Sequence, residues 1–104
     1  MKYIELPTIG EILLEEFLEP LNLSQNALAK SIGVPSNRIN EIIRGKRGVS
    51  ADTDLRITKY FGLSKGYFLR LQDSFELLAS ERKIKNELSK IIPIDYKQYK
   101  KVAM

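Results

Sequence analysis

The segment from Gln25 to Arg44 constrains this chain more than any other part, because it reads as two short helices joined by a tight turn. Ser24 is a predicted N-cap for the first helix, QNALAKSI, since its hydroxyl can accept a hydrogen bond from a free backbone N–H. Gly33 is expected to end that helix in the left-handed conformation that glycine adopts freely. Pro35 then begins a second helix, SNRINEIIR, which stops at Gly45.

The side chains of these two helices suit close packing against each other. Small Ala29 lies where the helices must cross, and Ile39 and Ile42 lie one helical turn apart on the inward side of the second helix. Two helices packed in this way can press the second into a DNA groove. The segment therefore predicts a helix-turn-helix motif.

Helical periodicity also runs through the rest of the chain. Thr8 and Glu11 form a capping-box pattern at the start of a first helix, which Pro20 closes. Its predicted apolar positions are Ile9, Ile12, Leu13, Phe17 and Leu21. This helix carries its glutamates on the outside.

Two more helices follow the helix-turn-helix. Ser50 is a predicted cap for a fourth helix that ends at Gly62, and Ser64 is a predicted cap for a fifth that extends to about Ser80. The apolar stripe of the fifth helix is Phe68, Leu71, Phe75 and Leu78. We predict an all-α fold, a compact five-helix bundle that contains the helix-turn-helix.

The chain is expected to divide into a DNA-binding domain over residues 1–80 and an extension over residues 81–104. Ile84, Leu88 and Ile91 recur at helical spacing, so this segment either continues helix five or forms a separate helix. The lysine-rich end, IDYKQYKKVAM, has too little apolar surface to offset its ordering entropy. We expect it to be mobile without a partner.

Composition excludes several classes of protein. The chain has no cysteine and no histidine, which removes disulfides, thiolate chemistry, most zinc sites and the usual general base. No pair of carboxylates has a spacing typical of hydrolysis, so we expect no enzyme, metal or cofactor. No apolar run approaches the roughly 20 residues of a membrane span, and residues 1–3 lead into no secretory signal. A cytoplasmic protein without membrane contact is expected.

The net charge of +4 is unevenly distributed. Residues 1–20 carry five glutamates against one lysine, whereas residues 35–47 have a balance of +3 and residues 81–104 of +4. The basic residues thus lie on the second helix of the motif, on the loop after it and on the tail, where a polyanion would be attracted.

A family resemblance is carried by GEILLEEFLEPLNLSQNALAKSIGVPSNRINEIIRGKRGVSADTDLRITKYFG and by YFLRLQDSFEL after it. The chain closely resembles, over about residues 8–78, the HigA-type antitoxins of the Xre/lambda-repressor-like helix-turn-helix superfamily. Its most specific pieces are SNRINEIIRGKRGVSADTDLRI and GEILLEEFLEPL. Family members usually carry a tryptophan in helix five where this chain has Phe68, a departure that affects packing more than function.

The resemblance implies two roles: neutralising a RelE-like mRNA-cleaving toxin, and repressing the shared operon as a homodimer on palindromic operator DNA. Helix five and residues 81–92 are our candidates for the dimer interface. The alternative is a stand-alone, phage-like Xre-type repressor without a toxin. A small RelE-like reading frame beside this one would separate the two interpretations.

In lambda-type repressors the first exposed turn of the second helix meets base edges. The candidate base contacts carried over from this resemblance are Ser36, Asn37, Arg38, Asn40 and Glu41. Asn can pair with adenine, Arg with guanine, and Glu can accept from cytosine or repel phosphate. Which of the last three candidates faces the bases depends on the roll of the helix.

Phosphate contacts need only charge or an exposed donor near a helix start. The candidates are Ser24, Gln25, Arg44, Lys46 and Arg47. The alternatives are that Ser24 only caps its helix and that the basic residues form a solvated loop. Candidate toxin contacts are Glu15, Glu16 and Glu19, with a merely solvated face as the alternative. The aromatic residues Phe17, Phe61, Phe68 and Phe75 are expected in the core rather than stacked on nucleotides.

Overall fold

A computed structural model describes residues 5–98 as a set of short helices. The bounds are α1 (Ile9–Ile12), a π-helical continuation of it (Leu13–Leu18), α2 (Gln25–Ile32), α3 (Ser36–Ile43), α4 (Ala51–Phe61), α5 (Tyr67–Lys83), α6 (Lys85–Ser89) and a 3-10 turn (Tyr96–Gln98). No strand occurs between residues 5 and 98, and the all-α prediction is confirmed. The expectations for the first residues and for the end of the tail concern residues 1–4 and 99–104, which lie outside this range.

Most helix ends follow local signals in the sequence. The hydroxyls of Thr8, Ser24 and Ser50 each accept a hydrogen bond from the backbone N–H three residues later, at 3.0 to 3.2 Å. Gly33 and Gly62 end their helices with φ of 73° and 70°, a conformation that costs glycine little. These caps confirm the predicted bounds of α2 and α4.

The first helix changes its hydrogen-bonding pattern after one turn. In the π-helical segment the spacing widens from four residues to five, and at its end the Glu19 N–H donates to the Leu14 carbonyl at 2.9 Å. Leu13 and Leu18, five residues apart, are both 1% exposed, whereas Leu21 is 62% exposed. The predicted apolar position at Leu21 was wrong because the helix ends at Leu18 and Leu21 lies in the turn that follows.

The core forms where α1 to α5 meet. Its buried apolar residues are Ile9, Leu13, Leu18, Leu28, Ala29, Ile32, Val34, Ile39, Ile42, Val49, Ile57 and Phe68. The ring of Phe17 lies 5.1 Å from that of Phe61 and 5.3 Å from that of Phe68, measured between centroids. The structure confirms these three aromatic residues as part of the core, while Phe75 is only half-buried.

Helix α1 packs directly on the C-terminal end of α3. A Cβ added at Gly10 would collide with the backbone of Ile42 and Ile43, so only glycine permits this approach. Helix α3 also packs against α2, where Ala29 is 1% exposed. Helix α3 is therefore fixed between two neighbouring helices.

The start of α5 differs from the prediction. The helix begins at Tyr67 with Gly66 as N-cap, and Ser64 does not cap it. Instead the carboxylate of Asp54 accepts hydrogen bonds from the backbone N–H groups of Gly66, Phe68 and Leu69, at 2.7, 2.9 and 3.2 Å. Asp54 belongs to α4 and is 1% exposed. A side chain from a neighbouring helix thus replaces the local cap.

Burial falls steadily along the C-terminal half of α5. Phe68 is fully buried, whereas Leu78 is 37% exposed, so the predicted apolar stripe leaves the core at that end. The helix continues to Lys83, the backbone bends at Ile84, and α6 follows as a separate short helix. The Cα radius of gyration is 18.6 Å, against roughly 13 Å for a compact chain of about 100 residues. An elongated extension accounts for the difference.

Candidate nucleic-acid interface

Helix α3 turns one face to the core and the other to solvent. Ile39 and Ile42 are fully buried, as predicted, while Ser36 and Asn37 are exposed and Arg38 is half-buried. The side chains of Ser36, Asn37 and Arg38 make no hydrogen bond or ion pair within residues 5–98. Polar groups in the first turn of α3 are therefore available to an outside partner.

The other two candidate base contacts are already engaged inside the protein. The Asn40 amide donates to Gln25 Oε1 at 3.1 Å, which joins the middle of α3 to the first residue of α2. Glu41 Oε1 lies 3.3 Å from Arg47 Nε, in an ion pair whose side chains are about one-third to one-half exposed. The Asn40–Gln25 and Glu41–Arg47 pairs are both partly exposed to solvent. In each pair, the bond to the partner sets the position of the candidate base contact.

The candidate phosphate contacts lie at both ends of this surface. Ser24 is exposed and caps α2, and Gln25 is half-buried in its bond with Asn40. The side chains of Arg44, Lys46 and Arg47 are exposed, on the last turn of α3 and the loop after it. One carboxylate, that of Glu41, lies beside Arg47, the last of these three cations. The surface is therefore net basic at the C-terminal end of α3.

Two residues that position this surface were missed by sequence reasoning. Arg56 Nη1 donates to the Ile32 carbonyl at 2.8 Å, which ties the end of α2 to α4. Gln72 bonds to both backbone groups of Val49, which ties the loop after α3 to α5. Their partners lie 24 and 23 residues away along the chain, so neither leaves a local signal.

The acidic candidates lie on a different element. Glu15, Glu16 and Glu19 are exposed on and just after the π-helical segment. Neither salt bridge found between residues 5 and 98 involves any of them. Their charges therefore face solvent, opposite in sign to the loop after α3.

Other kinds of site have no support in the described region. Residues 5–98 contain no group of three or more acidic side chains arranged to hold a metal ion. None of the helices found between these residues has both the length and the apolar character of a membrane span.

The chain is similar in sequence to known helix-turn-helix proteins. A family model described as helix-turn-helix matches residues 14–68. The virulence-associated protein I of Dichelobacter nodosus is 46% identical over 92 residues, which are 86% of this chain and 84% of that protein.

Solved structures of similar fold include two HigA proteins. The antitoxin HigA of Pseudomonas aeruginosa, determined with the higBA promoter, is 32% identical with a TM-score of 0.77, and the match covers 86% of this chain and 98% of that one. An addiction module antidote protein of the HigA family from Coxiella burnetii is 34% identical with a TM-score of 0.79, over 88% of this chain and all of that one. The similarity extends past the motif to nearly the whole of both relatives.

Proposed function

Because this chain belongs to the helix-turn-helix family and resembles its HigA-type antitoxins across most of its length, we propose that it binds operator DNA, represses its own operon and neutralises a toxin. One observation carries the DNA-binding half: the first turn of α3 presents Ser36, Asn37 and Arg38, which have no partner within residues 5–98. Helix α3 itself is held rigidly, so these groups can meet bases without a large ordering cost.

Base reading is assigned to Asn37 and Arg38 first. Asn37 is exposed and can bind adenine through two hydrogen bonds, and Arg38 can bind guanine in the same way. Asn40 and Glu41 are assigned a smaller part in base reading, because their side chains already bond to Gln25 and Arg47. Ser36 adds a hydroxyl that can donate or accept.

Phosphate binding is assigned to the two ends of the surface. The first backbone N–H groups of α2, with Ser24 and Gln25, suit one phosphate strand, because a helix N-terminus attracts anions. Arg44, Lys46 and Arg47 suit the other, since their exposed positive charges attract the phosphates.

The protein acts as a homodimer in this proposal. One helix-turn-helix reads only a few base pairs, so two copies on a palindrome give enough specificity. The surface that supports a dimer is an exposed apolar face over α5, α6 and the residues after them. Its members are Leu77, Leu78, Ile84, Leu88, Ile91, Ile92 and Ile94. A concentration of exposed large apolar residues in one part of the chain is typical of an interaction site.

The toxin half rests on family membership and on charge. We propose a RelE-like toxin that cleaves mRNA, and such a toxin is expected to be basic because it acts on a polyanion. Glu15, Glu16 and Glu19 are exposed and form an acidic surface for it. Toxin and DNA would then bind to different elements of the chain.

The experiment that tests this function measures DNA binding across salt. Fluorescence anisotropy with the region upstream of the operon should show tighter binding than a scrambled duplex, and log K should fall by about 0.9 per phosphate contact for each unit of log salt. Equal affinity for both duplexes would contradict operator recognition. Absence of any interaction with the product of the neighbouring gene would favour a stand-alone repressor.

A further inference from the structure

Gln72 on α5 forms an unusual pair of hydrogen bonds with the backbone. The Val49 N–H donates to Gln72 Oε1 at 2.7 Å, and Gln72 Nε2 donates to the Val49 carbonyl at 3.0 Å. Both ends of one side-chain amide are therefore used on one residue. Such a two-point bond fixes the orientation of the amide as well as the position of the backbone that it holds.

Val49 ends the loop that follows α3. The beginning of that loop is fixed by α3 itself, because the Gly45 N–H donates to the Ile42 carbonyl at 3.1 Å and the Lys46 N–H to the Glu41 carbonyl at 2.9 Å. The far end is fixed by burial of Val49, which is 4% exposed, and by its bonds to Gln72. The side chains of Lys46 and Arg47 project between these two fixed ends and are exposed.

Gly48 shows how closely Gln72 approaches the loop. A Cβ at position 48 would lie 2.8 Å from Gln72 Oε1 and 3.3 Å from its Cδ. Its backbone does not have a positive φ, unlike that of Gly45, so glycine here leaves room for the Gln72 amide rather than supplying a special conformation. Gly48 and Gln72 therefore act as a matched pair.

We propose that Gln72 is a positioning residue for DNA binding, holding the loop so that Lys46 and Arg47 reach phosphates on the flanking backbone. The inference rests on the proposed function and deepens it. Lysine and arginine gain most from a phosphate when their position is set before binding, since less freedom is then lost. Without Gln72 the far end of the loop would keep only the burial of Val49, and Arg47 only its exposed ion pair with Glu41.

The test replaces Gln72 with methionine, which has a similar length and no amide. The matched control is Ser74→Met, an exposed neutral position on the same helix. If both phosphate contacts are lost, the slope of log K against log salt becomes shallower by about 1.8, and affinity at 0.1 M salt falls roughly 60-fold; loss of one contact gives half that change in slope and a loss of roughly 8-fold. Operator and scrambled DNA should be affected alike, and Ser74→Met should match the wild type.

A purely structural role for Gln72 predicts a different result. It would lower thermal stability without changing the salt slope of the folded fraction, and a wild-type slope in Gln72→Met would overturn the proposal. A flat salt dependence in the wild-type chain would instead refute the proposed function, and this role with it. Hydrogen exchange at the Val49 amide distinguishes failure of the Gln72 role from failure of the proposed function. It should be faster in Gln72→Met than in the wild type whether or not the chain binds DNA, because the Val49 N–H donates to Gln72.

Gly48→Ala provides a second variant that leaves Gln72 in place. The added methyl should displace the amide and make the slope shallower, as Gln72→Met does. Combining Gly48→Ala with Gln72→Ala should be no worse than Gln72→Ala alone, because the collision has been removed. Additive losses in the double variant would contradict the pairing of these two residues.

Discussion

Asp54 illustrates how much a single buried side chain contributes to this fold. Its carboxylate accepts three backbone hydrogen bonds at the start of α5, and it is 1% exposed. No serine or threonine side chain caps the helix there: the N-cap is Gly66, and the Ser64 hydroxyl accepts a hydrogen bond from Arg70 rather than from a backbone N–H. The cap at the start of α5 is therefore supplied by one side chain of α4.

Replacing Asp54 with alanine should lower the free energy of unfolding by about 3 kcal/mol, because one buried and two part-buried N–H groups lose a charged acceptor. Urea denaturation measures this change. Asp73→Ala, an exposed position on α5, is the control and should stay within about 0.5 kcal/mol of the wild type. Similar small losses in both variants would show that water replaces the carboxylate.

Single residues of the interface should separate base reading from anchoring. Asn37→Ala and Arg38→Ala should each cost roughly 1–3 kcal/mol on the operator and little on scrambled DNA. Lys46→Ala should weaken both duplexes alike and reduce the salt slope by about one. Anisotropy titrations on the two duplexes measure all three variants. If Lys46→Ala alone changed sequence preference, the roles proposed for the helix and the loop would have to be exchanged.

At the scale of elements, the sequence predicted those helices whose ends are set locally. Helices α2 and α4 begin at serine caps and end at glycines of positive φ, so both could be delimited from neighbouring residues. The start of α5 could not, because its cap comes from Asp54 on another helix. The π-helical segment was also missed: it buries Leu13 and Leu18 five residues apart, and regular α-helical periodicity does not predict that spacing.

In the candidate interface, too, some residues could be predicted from the sequence and others could not. Its exposed residues follow from the pattern of α3, where Ile39 and Ile42 mark the inward face. The residues that hold the motif in place, Arg56 and Gln72, bond to backbone groups more than 20 positions away. A sequence pattern with helical period carries no information about such contacts, so only the folded chain reveals them.

The end of α5, helix α6 and the residues after it expose large apolar side chains, which we propose form the dimer interface. Leu77 is 72% exposed and Ile91 is 67% exposed, so changing either to aspartate should leave the monomer folded. Each change should convert the proposed dimer to a monomer and weaken operator binding, because two half-sites would no longer be bound together. Sedimentation equilibrium measures the first effect.

The matched control for the dimer is Asn86→Asp, which adds the same charge at an exposed position of α6. It should leave the dimer intact. If Leu77→Asp and Ile91→Asp also leave the molecular mass unchanged, the apolar face serves another purpose, and the two copies meet elsewhere.

On the scale of the whole molecule, opposite charges lie on separate elements. Glu15, Glu16 and Glu19 are exposed at the π-helical segment, whereas Lys46 and Arg47 are exposed on the loop after α3. A chain with this distribution can attract a basic protein and a polyanion at the same time. The proposed toxin and the operator DNA would therefore not compete for one surface.

That separation leads to a prediction about the two activities. Glu15→Lys combined with Glu19→Lys should weaken binding of the proposed toxin, because it replaces attraction to a basic partner by repulsion. Both positions are exposed, so the variant should fold and keep its operator affinity. Arg38→Ala should have the opposite effect, with toxin binding preserved and operator binding reduced roughly 5- to 150-fold, the equivalent of 1–3 kcal/mol.

Calorimetry with the purified toxin, and anisotropy with the operator, would measure both variants on both partners. Glu81→Lys, an exposed charge reversal outside the acidic surface, is the control and should leave toxin binding unchanged. If the Glu15 and Glu19 variant binds the toxin as tightly as the wild type, the toxin docks on another surface. If it loses both activities together, the two partners are coupled through α1, which packs on the end of α3 at Gly10.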